Sequence, residues 1–166
     1  MKYLDTDRAA HVRSLLLQSS QAFSPAWVDA GRVVVPAREI SDLSTDPGGA
    51  RLLDAFKALG YGELLCLTTD DLGADEPQQA VAASLEEVDG WRWDVAPFDV
   101  VLTTSDLSAA ALLSVDEFVL IGGDSSFVQA ALGREIPVAQ AEFRAYASDT
   151  ANASRHLPAL ADRYGC

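Results

Sequence analysis

Fourteen carboxylates and a single base, Arg92, stand between residues 61 and 124: Glu63, Asp70, Asp71, Asp75, Glu76, Glu86, Glu87, Asp89, Asp94, Asp99, Asp106, Asp116, Glu117 and Asp124. Oxygen ligands at this density could serve hard-cation binding or proton transfer. Asp70, Asp71, Asp75 and Glu76 crowd closest together, but the order of a calcium loop, with acids at alternate positions, a glycine and a distant Glu, is missing. A solvated loop that caps a following helix accounts for the same four residues, because helix N-termini attract acids. Any of the acids could form an acid/base pair, and the sequence does not select one.

The other reactive side chains are isolated. His11 and His156 fall on separate predicted helices with no Cys or His at ligand spacing, which argues against a transition-metal site. Ser125 and Ser126 follow Gly122-Gly123 at the start of a predicted helix, yet the G-x-S-x-G spacing of a nucleophile elbow is absent and Asp124 explains them as a helix cap. The glycine pair lacks the further glycines or lysine of a phosphate loop. Cys66 lies in an apolar run, where a thiol behaves as a small hydrophobe of raised pKa. No cofactor is called for by any motif.

Charge is the stronger signal. The net charge of -13 belongs wholly to residues 61–124, since acids and bases balance on either side. A general solubility coat, or adaptation to high salt, would extend to those flanks as well. Nucleic acid is excluded as a partner by the same bias, because polyphosphate binding needs Lys and Arg to release counterions. A basic protein is the complementary partner. Asp70, Asp71, Asp75, Glu76, Asp94, Asp116 and Glu117 are the carboxylates expected to meet it, and Trp91 and Trp93, bracketed by Asp89 and Asp94, are candidate anchors. Core packing is the competing use for both rings.

Those residues need a scaffold, and the chain can build one. Its 166 residues, 49 % apolar and 22 % charged, suit one globular domain spanning 1–166. The longest apolar runs fall far short of a membrane span. The N-terminus carries acids where a secretory signal would be apolar, and two cysteines set no disulfide framework, so a cytoplasmic protein with reduced thiols is expected.

Periodicity predicts helices over about 6–19, 50–59 and 125–132, and another opened by Asp75 and Pro77 with Val81, Leu85 and Val88 inward. Residues 136–148 read as helix, because Ala and Gln dominate there, and a last helix covers about 151–164. Strands are expected at 32–36, where Pro36 implies an end or an edge, at 63–69, and in a meander from 99 to 122. Trp91-Arg92-Trp93 alternates like an extended segment with both rings on one side. The fold class is α+β: a mixed, partly antiparallel sheet of about five strands with helices packed mainly on one face.

Three functions compete on this basis. The first is an acidic binding protein of the inhibitor or immunity type, an antitoxin in effect, which neutralises a basic protein partner by covering its substrate-binding cleft; a nuclease toxin is the concrete case. The second is a small carboxylate-based enzyme using a divalent metal. The third is a structural or assembly subunit that makes its contacts through the neutral flanks.

Overall fold

The computed structural model describes residues 1–166. In chain order the strands are β1 (Lys2–Tyr3), β2 (Leu17–Ser19), β3 (Ala22–Phe23), β4 (Val33–Arg38), β5 (Glu63–Thr68), β6 (Ala80–Ser84), β7 (Val100–Thr103), β8 (Ala110–Leu113) and β9 (Phe118–Gly123). The helices are α1 (Thr6–Leu16), α2 (Pro25–Val28), α3 (Pro47–Ala58), α4 (Val88–Asp94), α5 (Ser125–Leu132), α6 (Ile136–Asp149) and α7 (His156–Arg163). Seven strands form one sheet in the order β1-β6-β5-β7-β8-β9-β4, every neighbour antiparallel, while β2 and β3 make a separate hairpin. The α+β class holds, with seven strands in place of about five.

Both faces of the sheet are covered. Side chains along a strand point alternately to either side, and β5 is apolar from Leu64 to Leu67, so it supplies both: Leu64 and Cys66 enter one core, Leu65 and Leu67 the other. The first core is closed by Leu52 and Phe56 of α3, Trp91 of α4 and Phe127 of α5. The second is closed by Val12 and Leu16 of α1, Trp27 of α2, and Leu157 and Leu160 of α7. Helices therefore lie on two faces, and the expectation of one covered face is corrected. Helix α6 joins the two layers: Ala139 enters the first core, Phe143 and Ala147 the second, so the helix crosses the edge at β4. That cover blunts an edge that would otherwise offer free backbone groups. Pro36 does sit on this edge strand. Cys66 and Cys166 are both buried and free, on opposite sides of the sheet. Burial pushes the thiol pKa of each upward, that of Cys166 to about 11. No helix is long and apolar enough to cross a membrane.

Three local expectations fail, each for a tertiary reason. Residues 75–88 do not form a helix: Pro77–Gln79 is a single 3-10 turn, and Ala80–Ser84 pairs between β5 and β1, where Val81 packs inward at strand rather than helix spacing. Trp91-Arg92-Trp93 is helical, within α4. The first helix stops at Leu16, because Leu17–Ser19 turns back to pair with β3. The meander itself is present. Its last hairpin closes through Val115-Asp116-Glu117, and Glu117 takes the positive φ of 74° that such a three-residue loop requires.

Candidate functional site

Antiparallel register determines which acids meet. Thr68 lies beside Val100, Val100 beside Leu113, Leu67 beside Ala80 and Phe118 beside Arg38. The connections 69–79, 95–99 and 114–117 consequently leave the sheet at the same end. Asp70, Asp71, Asp75, Glu76, Asp94, Asp116 and Glu117 are brought to that end together, although they are spread over almost fifty positions of sequence. Glu76 and Asp94 line one hollow together with Leu72, Gln78 and Phe98.

The acidic loop is braced from below. Gln79 accepts from Leu72 N (2.7 Å) and donates to Gly73 O (2.6 Å), fixing the loop's middle. Arg13 of α1 is buried beneath it, donating from Nε to Thr68 O (2.9 Å) and from Nη2 to Gln79 Oε1 (2.9 Å). Burial lowers the pKa of this guanidinium, and the charges of Asp71 and Asp70 oppose that shift. Arg13 makes no ion pair: the chain has only two, the N-terminal ammonium with Glu87 and Arg134 with Glu142. The carboxylates of the acidic end are accordingly unpaired with any base. Four of them are held by neutral groups: Asp71 by the Gly73 N–H, Glu76 by the Gln78 amide, Asp116 by the Gln21 amide and Glu117 by the Ser154 hydroxyl.

The tryptophans separate. Side chains two apart on a helix point in nearly opposite directions, so α4 buries Trp91 to 1 % exposure and leaves Trp93 60 % exposed. Trp91 donates from Nε1 to Gln78 O (2.7 Å) within the core, which removes it from the candidate contact residues. Trp93, beside Asp94, remains on the surface. Two further exposed apolar residues, Phe98 and Val115, had no place in the sequence reading. They had a signal: Phe98 follows Pro97 and Val115 sits between Ser114 and Asp116, so each is a large apolar residue in a turn with no strand to carry it inward.

Asp99 ties these loops together and was also missed. Its Oδ1 accepts from Val115 N (2.6 Å) and Ser114 Oγ (3.2 Å). Burial raises its pKa, and the nearby carboxylates of Asp116 and Asp70 add to the rise, against those two hydrogen bonds. A raised folded pKa makes a contribution to stability that is complete below the unfolded value of about 3.9 and lost as pH climbs through the folded one. Asp99→Asn keeps an acceptor for both donors and cannot ionise. Urea unfolding at pH 3 and pH 7 should show the variant gaining on the wild type at the higher pH; an equal difference at both would contradict the shift.

Few of these groups are arranged for bond making. No three His, Cys, Asp or Glu side chains are placed to hold a metal ion. Asp124 caps α5, accepting from Phe127 N (2.7 Å) and Ser126 Oγ (2.8 Å), which accounts for the serine pair. His11 and His156 lie on α1 and α7, and His156 Nε2 is bound to the backbone carbonyl of Asp116 (2.8 Å). No protein-family model matches the chain, and neither a curated protein nor a solved structure matches it.

Proposed function

We propose that this is an inhibitor-type binding protein whose acidic end occupies the basic, substrate-binding cleft of a partner protein. One observation carries the reading: carboxylates without a base to pair with share one end of the sheet with exposed Phe98 and Val115, and exposed Trp93 precedes Asp94 at the end of α4. Aromatic anchors ringed by charge are the pattern of tight interfaces, in which charge sets the encounter rate and the buried rings set the lifetime. Clefts that hold polyphosphate are basic, so a nucleic-acid-processing enzyme, such as a nuclease toxin, is the concrete partner. The action is blockade: Asp70, Asp71, Asp75, Glu76 and Asp94 meet Lys and Arg of the cleft and keep the substrate out. A cytoplasmic setting suits the two free cysteines.

The test begins with capture from lysate of the native organism at low salt, elution on a salt gradient, and purification of the basic protein that leaves. Association with that protein is then followed at several salt concentrations. Reversing Asp71, Asp75 and Glu76 to Lys should slow association by about 10- to 100-fold at low salt and flatten its salt dependence. An unchanged on-rate would sink the proposal.

A further inference from the structure

On the first face of the sheet, β4 and β9 and the helices α3, α5 and α6 enclose a cavity of about 360 Å³. Its wall is apolar at Ile40, Val119, Ile121 and Leu132, and basic at Arg38, Arg51 and Arg134. Three guanidinium groups at one cavity are unexpected in a chain of net charge -13.

The carboxylates around it do not neutralise them all. Glu142 is taken by Arg134. Asp46 caps α3, accepting from Gly48 N (2.7 Å) with Oδ1 and from Ser41 N and Oγ with Oδ2. Glu39 is the one acid left. The guanidinium groups of Arg38 and Arg51 make neither an ion pair nor a hydrogen bond within the chain; that of Arg38 lies over the Tyr146 ring, 4.5 Å from its centroid. Arg51 Nε is the only buried side-chain nitrogen or oxygen in the molecule without a hydrogen-bond partner. Buried polar groups are almost always satisfied, so this orphaned donor marks a guanidinium that no group of the chain anchors.

Arg51 is also held in place. Gly133 ends α5 at φ 69°, and a Cβ there would come within 2.7 Å of Arg51 Cδ and 2.8 Å of Nε. The stem thus runs through a groove that glycine leaves open. A Cβ on Gly48 would lie 4.0 Å from Nη2, which puts the guanidinium at the first turn of α3.

We propose that this cavity binds a small organic anion: a carboxylate or phosphoryl headgroup on Arg51 and Arg38, with a compact apolar body against Ile40, Val119 and Ile121. Guanidinium groups match both headgroups in planar, two-point geometry, and the volume lies within the usual range for small-ligand sites. The cavity shares no residue with the acidic end, so loss of either proposal leaves the other standing.

The probes are phenyl phosphate, benzoate, inorganic phosphate and neutral benzyl alcohol, titrated into the full chain and followed by ¹H–¹⁵N spectra that include the Arg51 Nε–H resonance. Saturable binding of phenyl phosphate or benzoate is expected, with the Arg51 Nε–H and Gly48 amide signals moving together. Inorganic phosphate should bind more weakly than phenyl phosphate, and benzyl alcohol should not bind. Arg51→Gln should weaken the better anion by about tenfold or more. Arg38→Gln, at an exposed position, should weaken it several-fold and serves as the second variant if Arg51→Gln does not fold. The proposal is overturned if no anion saturates these signals at about 10 mM, if benzyl alcohol binds as well as the anions, or if both variants bind like the wild type.

Discussion

Trp91→Ala should lower the stability of the fold by about 4 kcal/mol, whereas Trp93→Ala, two residues along the same helix, should change it by no more than about 0.5 kcal/mol. Trp91 is fully enclosed between α4 and the sheet, and its truncation leaves both a large void and a bare Gln78 carbonyl. Trp93 has most of its surface in water, and its ring makes no hydrogen bond within the chain. Binding should show the opposite order. If Trp93 anchors the basic partner, its removal should cost about 2 kcal/mol of affinity or more, roughly a thirtyfold rise in Kd. Urea unfolding of the two variants, followed by titration of the partner with Trp93→Ala, checks both halves. Equal destabilisation by the two substitutions would contradict the placement of the rings. Full affinity in Trp93→Ala would move the anchor elsewhere on the acidic end.

The same two residues show where sequence reasoning reaches its limit. Trp-Arg-Trp alternates, and alternation signals a strand only if the backbone is extended; the segment folds as a helix, and the identical spacing then sends the rings apart. Strong, long periodicities were legible. The buried stripe of α5, its Asp124 cap and its Gly133 stop all follow from composition and spacing, as does the helical state of Ile136–Asp149. Short elements were not. Ala80–Ser84 carries three alanines and one valine and has no strong preference of its own; pairing with both β5 and β1 makes it a strand. Missing that strand also hid the second covered face. The apolar run in β5 already implied burial on both sides, but α1, α2 and α7 could be assigned to the far side only once the whole sheet was in view.

For the acidic end, sequence named the charges but not their convergence. Asp70, Asp94 and Asp116 are distant along the chain, and the antiparallel register brings their loops to one end. The basic cavity was invisible for the same reason. Arg38, Arg51 and Arg134 come from a strand edge, a helix and an interhelical turn, all in the balanced flanks where charge counting finds nothing to remark.

Gly49→Ala should destabilise the protein by about 3 kcal/mol, although the same exchange inside an ordinary helix adds up to about 1 kcal/mol. Gly49 lies in the first turn of α3, where the preceding segment folds back across it. A Cβ would stand 2.5 Å from Asp42 O, 2.6 Å from Leu43 Cα and 2.8 Å from Leu43 O. All three are backbone atoms, so no side chain can swing aside to make room. Nor can the segment drift outward. Leu43 is fully buried, and its N–H donates to Asp89 Oδ1 (2.8 Å) on α4. Asp42 Oδ1 meanwhile accepts from the backbone N–H and hydroxyl of both Ser44 and Thr45, at 2.6 to 2.9 Å. Relief of the clash must therefore pull Leu43 from the core or part α3 from α4. Gly90, on the exposed side of α4 with no atom within 4 Å of its would-be Cβ, is the internal control. Gly90→Ala should raise stability by about 0.5 to 1 kcal/mol through helix propensity alone. Opposite signs for the two alanines in thermal or urea unfolding are the expected result, and a stabilising Gly49→Ala would mean that the 41–46 segment does not press on α3. Because Ile40, Asp46 and Gly48 also line the basic cavity, displacing this segment should weaken anion binding as well, which ties the packing of one glycine to the shape of that site.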